Sequence, residues 1–192
     1  MKKIFQILII ALASTMLSGC SYNSIIGLDE STKEAWSNVE AAYQRRLDLI
    51  GNLVETIKGS GKFEKETLTE VINARSKATS VQLNADDITP ENMAKFQEAQ
   101  SQMSGALSRL LVTIEKYPEL KTTAQYAELM NELNRTENRI NIARRDYNSA
   151  VKQYNTTIRS FPTNITAMLF KFKEKEMFKA DPGAEKAPKV QF

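Results

Sequence analysis

Residues 123–161 read TAQYAELMNELNRTENRINIARRDYNSAVKQYNTTIRSF, and this stretch decides the fold. Tyr126, Met130, Leu133, Glu137, Ile140, Arg144, Tyr147, Val151, Tyr154, Ile158 and Phe161 recur at alternating steps of four and three. That spacing keeps one side of an α-helix turned toward its neighbours. Sustained over about five heptads it is a coiled-coil-like pattern. At ~1.5 Å per residue the helix is about 55–60 Å long. Pro162 stops it.

The same alternation appears upstream. Met93, Phe96, Gln100, Met103, Leu107, Leu110, Ile114 and Tyr117 form a third helical seam, which puts Leu107 and Leu110 in the core. Thr89-Pro90 reads as its cap and first position. A second helix spans about Lys62–Leu83, using Phe63, Leu68, Val71, Ala78 and Val81, and the polar run 84–87 breaks it. The first helix begins near Asp29, with Ser31 and Glu34 at capping-box spacing. Its face carries Trp36, Val39, Tyr43, Ile50, Leu53 and Ile57, and Gly59-Ser60-Gly61 ends it. No stretch reads as a strand. The short loops make neighbouring helices antiparallel. The expected fold is all-α, an antiparallel up-and-down four-helix bundle with long coiled-coil-like helices over residues 29–162. Residues 163–192 form a short amphipathic helix carrying Met168, Phe170, Phe172, Met177 and Phe178, followed by an irregular tail from Asp181.

Composition narrows the function. The 192 residues include 7 Gly and 5 Pro, too few turn residues for a sandwich or barrel. Histidine is absent, which removes the imidazole base and the commonest zinc ligand. A single cysteine excludes an internal disulfide and a thiolate cluster. The formal charge is +3, but leaving out Lys2 and Lys3 gives 24 basic against 23 acidic residues. No clustered basic excess marks a nucleic-acid binder. Gly59-x-Gly61 lacks the third glycine and the preceding strand of a dinucleotide loop, so it reads as a turn. Asp86-Asp87 lies in a polar loop, and Met93 and Met103 read as core. Tyr126, Tyr147, Tyr154 and Phe161 read as seam packing rather than a ligand-stacking stripe, and Tyr-Asn repeats at 147–148 and 154–155 as a heptad would. No enzyme, cofactor or metal site is expected.

The first residues read as an address. Lys2-Lys3 precede an apolar run, Ile4–Leu17, of 14 residues. A spanning helix needs about 20; this length suits a signal-peptide core. Leu17-Ser18-Gly19-Cys20 follows and resembles the bacterial lipobox. That resemblance implies cleavage before Cys20, acylation of Cys20 (palmitate among the chains) and a lipid-bilayer anchor. An uncleaved anchor helix is the alternative. The division is then 1–19 signal peptide, 20–28 tether, 29–162 bundle and 163–192 tail. Ser21 rather than Asp after the cysteine resembles an outer-membrane signal in a Gram-negative cell.

Charges on the seams are the anomaly: Arg46, Arg75, Glu137 and Arg144. Unpaired buried charge is costly, so they either pair or line an opening. Counting rise per residue from the loops at 58–62 and 118–122 puts Arg46, Arg75 and Glu137 about 18–21 Å from one end. A single layer is expected, with Glu137 bridging two guanidiniums and Gly105 leaving room for them.

Several stretches together resemble the LemA family of bacterial proteins. They are Arg45–Val54, Ala74-Arg75, Glu115–Lys121, and Glu137-Asn138 through Arg144, Tyr147-Asn148, Val151 and Tyr154-Asn155 to Phe161-Pro162. They span about residues 35–165. Members usually carry Pro where Gly51 stands, and many keep an uncleaved N-terminal helix. The resemblance implies a membrane-attached antiparallel helical bundle with no established biochemical activity. It makes membrane proteins with a TPM domain and membrane peptidases candidate partners, because relatives' genes often lie near theirs. The expectation is an extracytoplasmic, lipid-anchored envelope protein that binds other proteins or serves as a scaffold. The alternatives are a structural coiled-coil oligomer or adaptor and, last, an envelope hydrolase.

Overall fold

The computed structural model describes residues 2–59 and 63–179, with side chains from residue 21 onward. The chain is all-α: among the described residues there is no strand. Six α-helices lie among the described residues, where a bundle of four and a short amphipathic helix after it were expected. They are α1 (Lys2–Gly59), α2 (Lys65–Ser80), α3 (Pro90–Ile114), α4 (Pro118–Lys121), α5 (Ala124–Arg159) and α6 (Thr163–Leu169), with a 3-10 turn at Ala85–Asp87.

Two of the helix starts match the local sequence chemistry. Thr89 accepts a hydrogen bond from the Asn92 N–H with Pro90 at the first position of α3. Thr123 accepts from the Tyr126 N–H at the start of α5. Each hydroxyl satisfies a backbone donor that the first turn leaves without a partner. The expected cap at Ser31 does not exist. Ser31 lies inside α1 and donates back to the Gly27 carbonyl at 2.9 Å, a mid-helix bond. The stretch read as a tether, 20–28, is likewise helical, and Ile25 in it is fully buried. The Cys20 side chain and the tail from residue 180 lie outside the described residues.

Helices α1 and α5 make the most extensive pair, followed by α2 with α3 and α1 with α2. Arg45 of α1 meets Glu132 of α5 at 3.0 Å, while Ile25 packs with Ile158, so the two run antiparallel. The core has three parts along that axis. Leu47, Ile50, Leu53, Ile57, Val71, Leu110 and Leu133 fill the end nearest the 118–122 loop. An aromatic middle holds Trp36, Tyr43, Phe96, Tyr147 and Phe178. Ile25, Tyr154, Ile158 and Ala167 close the far end.

The lengths explain why the last elements are needed. Helices α2 and α3, at 16 and 25 residues, are shorter than α5 at 36 and α1 at 58. The α1–α5 pair therefore outruns the α2–α3 pair and exposes an apolar face. Helix α6 and the extended segment after it cover that face. The segment 172–179 is not the second half of an amphipathic helix, as its apolar residues suggested. Helix α6 stops at Leu169, and Lys171 takes φ 60°. Phe172 N–H then bonds Ala167 O at 2.9 Å and Lys171 N–H bonds Met168 O at 3.3 Å. This paired closure is a Schellman-type stop with Lys where glycine is usual. It sends the chain away extended. Phe161, expected on the α5 seam, is 81% exposed because the helix has already ended at Arg159.

Candidate functional site

The charged seam residues open onto a polar niche of about 140 Å³ between α1, α3 and α5, lined in part by Tyr43, Arg46, Gln100, Ser104, Glu137 and Arg144. Arg46 is its floor, 4% exposed. Its Nη1 donates to Ser104 Oγ at 3.1 Å and to Glu137 Oε2 at 3.4 Å. Its Nη2 donates to the Gln100 side-chain and backbone oxygens. The guanidinium carbon lies 5.0 Å from the Tyr43 ring centroid, a cation–π contact. Nε is buried with no partner.

The expected layer does not form. Glu137 meets Arg46 but its side chain is 53% exposed, so it is not a buried bridge. Arg75 is elsewhere: its Nε donates to the Leu47 carbonyl at 2.8 Å. Its guanidinium lies over Gly51, where an added Cβ would come within 3.3 Å of it. Gly105 makes no room for either arginine; the atom facing it is Arg109 Nη1 at 3.7 Å. Arg144 borders the niche and places its guanidinium 4.9 Å from the Phe178 ring centroid.

From the niche a groove runs along α5, and residues 172–179 lie in it as a strap. Asn155 Nδ2 donates to Lys175 O at 2.9 Å while Lys175 N–H donates to Asn155 Oδ1 at 2.9 Å. Asn148 holds Phe178 in the same two-point way, at 3.1 and 2.8 Å. Each carboxamide offers one donor and one acceptor side by side, the pattern an adjacent strand would offer. Tyr147 donates its hydroxyl proton to Glu176 O at 3.0 Å. Arg144 and Gln97 both donate to Lys179 O, at 3.2 and 3.1 Å. Phe178 is 6% exposed and stacks on Trp36, with centroids 5.7 Å apart and planes at 19°. Lys175 Nζ sits 2.8 Å from Asp29 Oδ1 and 5.3 Å from the Tyr154 ring centroid.

Sequence reasoning missed Asn148, Asn155 and Asp29 as binding groups. The signal was present in the Tyr-Asn repeat, which reads equally well as seam packing.

Asp29 carries a pH dependence. Partial burial pushes its carboxyl up, but hydrogen bonds and charge from Lys175 and Lys33 outweigh that and hold it below its ordinary 3.8. A depressed folded value gives stability that is present above 3.8 and lost as pH falls through the folded value. Asp29→Asn is therefore expected to destabilise at neutral pH, and the gap from the native chain should shrink as pH drops from about 5 toward 2. Urea midpoints at the two ends of that range check it. An unchanged gap would mean that the carboxylate does not tie the strap.

A second cleft, about 420 Å³, lies between α1 and the α2–α3 connection, with Glu40 as its carboxylate. Burial pushes that carboxyl up, yet no second carboxylate and no lysine or arginine lines the cleft beside it. Among the described residues no group of His, Cys, Asp and Glu could hold a metal ion, and no helix is long and apolar enough to cross a membrane.

The chain is similar to the magnetosome proteins MamQ 2 and MamQ 1 of Paramagnetospirillum magneticum, each 26% identical over 194 residues, covering 92% of this chain and 71% of the relative. It is also similar to Protein LemA of Metamycoplasma hominis, 27% identical over 118 residues, 62% of this chain and 50% of that relative. Residues 35–192, which contain α2 to α6, the niche and the strap, match the LemA family throughout, and the chain belongs to that family.

Proposed function

We propose that this chain is a membrane-anchored helical module of the bacterial cell envelope that works by binding another protein at the membrane surface, with the four long helices acting as a rigid antiparallel bundle. One observation carries the membrane half. Ile165, Met168, Leu169 and Phe170 are 54%, 77%, 71% and 52% exposed on or beside a seven-residue helix, and together they form a solvent-facing apolar patch. That patch lies at the end of the bundle where Cys20 would be acylated, since the Tyr22 ring is 4.7 Å from Phe170 and 5.9 Å from Phe172. An acyl chain at residue 20 would bring exactly this patch to the bilayer interface, and exposed Lys171 and Lys173 beside it suit anionic headgroups. The protein half is supported by the groove, which already holds an extended peptide. TPM-domain proteins and membrane peptidases are the candidate partners.

Two measurements test the membrane half together. Chain recovered from membranes should have the mass of a polypeptide starting at Cys20 plus acyl groups, and Cys20→Ser should remain unprocessed. A fluorophore attached at Met168→Cys should shift to the blue on vesicles containing phosphatidylglycerol, and one at Val112→Cys, exposed on α3, should not. An unacylated chain beginning at Met1, or equal behaviour of the two labels, removes this reading.

A further inference from the structure

We propose that the groove between α1, α3 and α5 is a binding site for an extended polypeptide segment with a lysine or arginine three residues before a phenylalanine, and that residues 172–179 fill it in cis. This deepens the protein-binding reading above and rests on it.

The first argument is dimensional. Asn148 and Asn155 are seven residues apart on α5, so they stand about 10.5 Å apart along the axis. They clamp Phe178 and Lys175, which are three residues apart in extended chain, or about 10 Å. One heptad of helix thus matches three residues of strand, and the order is antiparallel. An extended segment with a three-residue backbone repeat, about 9.3 Å per three residues as in polyproline II, turns its N–H and C=O groups to one side at that spacing, so the clamps read backbone and not side chains.

Selectivity comes from two positions. Asp29 and the Tyr154 ring take a cation at the first clamped residue. Trp36, Phe96 and Tyr147 surround an aromatic ring at the second, with centroids 5.2–6.4 Å apart. Outside these anchors Lys173 and Lys179 have exposed side chains, and Glu174, also exposed, meets Arg159 of α5 only at 3.7 Å.

The strap also behaves as a ligand of the bundle rather than as part of its backbone network. Among the described residues no backbone-to-backbone hydrogen bond joins residues 173–179 to a helix; the strap's backbone is held by side chains. This is recognition of an extended backbone by side-chain carboxamides, at a three-residue repeat where a sheet edge would use a two-residue one. A tethered strap has an effective concentration on the order of millimolar, so a partner segment competes only when it matches both anchors or when the strap is drawn away.

The test inserts a protease site between Lys171 and Phe172 of the full chain and cuts it in the folded protein. No groove or strap residue changes. A fluorescein-labelled peptide of residues 172–179 is then titrated, and emission from Trp36, the sole tryptophan, reports on the ring pocket. The cut chain should bind the peptide at least about tenfold more tightly than the uncut chain. Binding should be lost with Asn148→Ala in the groove and with Phe178→Ala in the peptide. Lys175→Glu in the peptide should weaken it. Three results overturn the proposal: the cut chain loses its helical circular dichroism, it binds no peptide, or it binds the Phe178→Ala peptide equally well. Partners crosslinked in cells that persist after such a failure would discard this groove and leave the protein-binding reading standing.

Discussion

Leu110→Ala is expected to lower the stability of the chain by about 2–5 kcal/mol, the range for removing a buried leucine side chain without full collapse of the space. Leu110 is completely buried in the cluster that holds Leu47, Ile50, Leu53 and Leu133. The cluster joins all four long helices, so no single helix can move to fill the gap without opening a contact elsewhere. Leu107, three residues earlier on the same expected seam, only packs against that cluster from its margin. Leu107→Ala should therefore cost clearly less. Urea unfolding of the two variants decides it. A Leu110→Ala loss below about 0.5 kcal/mol, in the range of an ordinary surface change, would mean the seam of α3 is misplaced.

The difference between those two leucines shows what heptad counting can and cannot reach. It found that α3 has an apolar face and which residues lie near its centre. The width of that face depends on where α1 and α2 sit, and no residue of α3 records that. The same limit explains Arg75. Counting rise per residue put it level with Arg46, and it does bond the carbonyl of Leu47, the next residue on α1. Height along an axis follows from 1.5 Å per residue, whereas facing turns by about 100° at each residue and depends on how each helix is rotated. Arg75 has the expected height and faces a different side of α1. The Ser31 cap failed for another reason. A capping box is a local signal, and it loses to a helix that already runs in from upstream.

The strap was the least legible part. Its apolar residues, Met177 and Phe178, carry no strand alternation, and most of the groups that hold its backbone lie on α5, 20 to 35 residues away in sequence, with Gln97 of α3 farther still. Helical periodicity at 163–170 was real, and it was extrapolated past Lys171 into a segment whose conformation its neighbours decide. Asn148 and Asn155 were visible as a repeat. Their role was not, because a half-buried Asn beside a seam tyrosine serves equally well as a polar rim until something lies across it.

The niche gives the second large effect. Arg46→Ala is expected to cost about 3 kcal/mol, and Glu137→Ala no more than about 1 kcal/mol. A carboxylate buried between two arginines would give the reverse order. The exposures reverse it. Losing Arg46 removes a side chain that is 4% exposed, leaves a void, and strands the Gln100 side-chain oxygen that its Nη2 satisfies. An unsatisfied buried acceptor alone costs about 1–3 kcal/mol. Glu137, left behind, is half in water and hydrates freely. Losing Glu137 instead leaves Arg46 bonded to Ser104 and Gln100 and lying against Tyr43, and water in the niche can take the carboxylate's place at Nη1. The 3.4 Å ion pair between them is then worth what a screened pair is worth, about 0–1 kcal/mol. A double-mutant cycle measures that term directly, and Arg46→Met separates packing of the stem from the charge, since it keeps the stem and still strands Gln100. Were Glu137→Ala the more damaging of the two, the carboxylate would be compensating a charge that Gln100 and Ser104 cannot, and the niche would be an ion-pair site rather than a hydrogen-bonded anchor for the start of the groove.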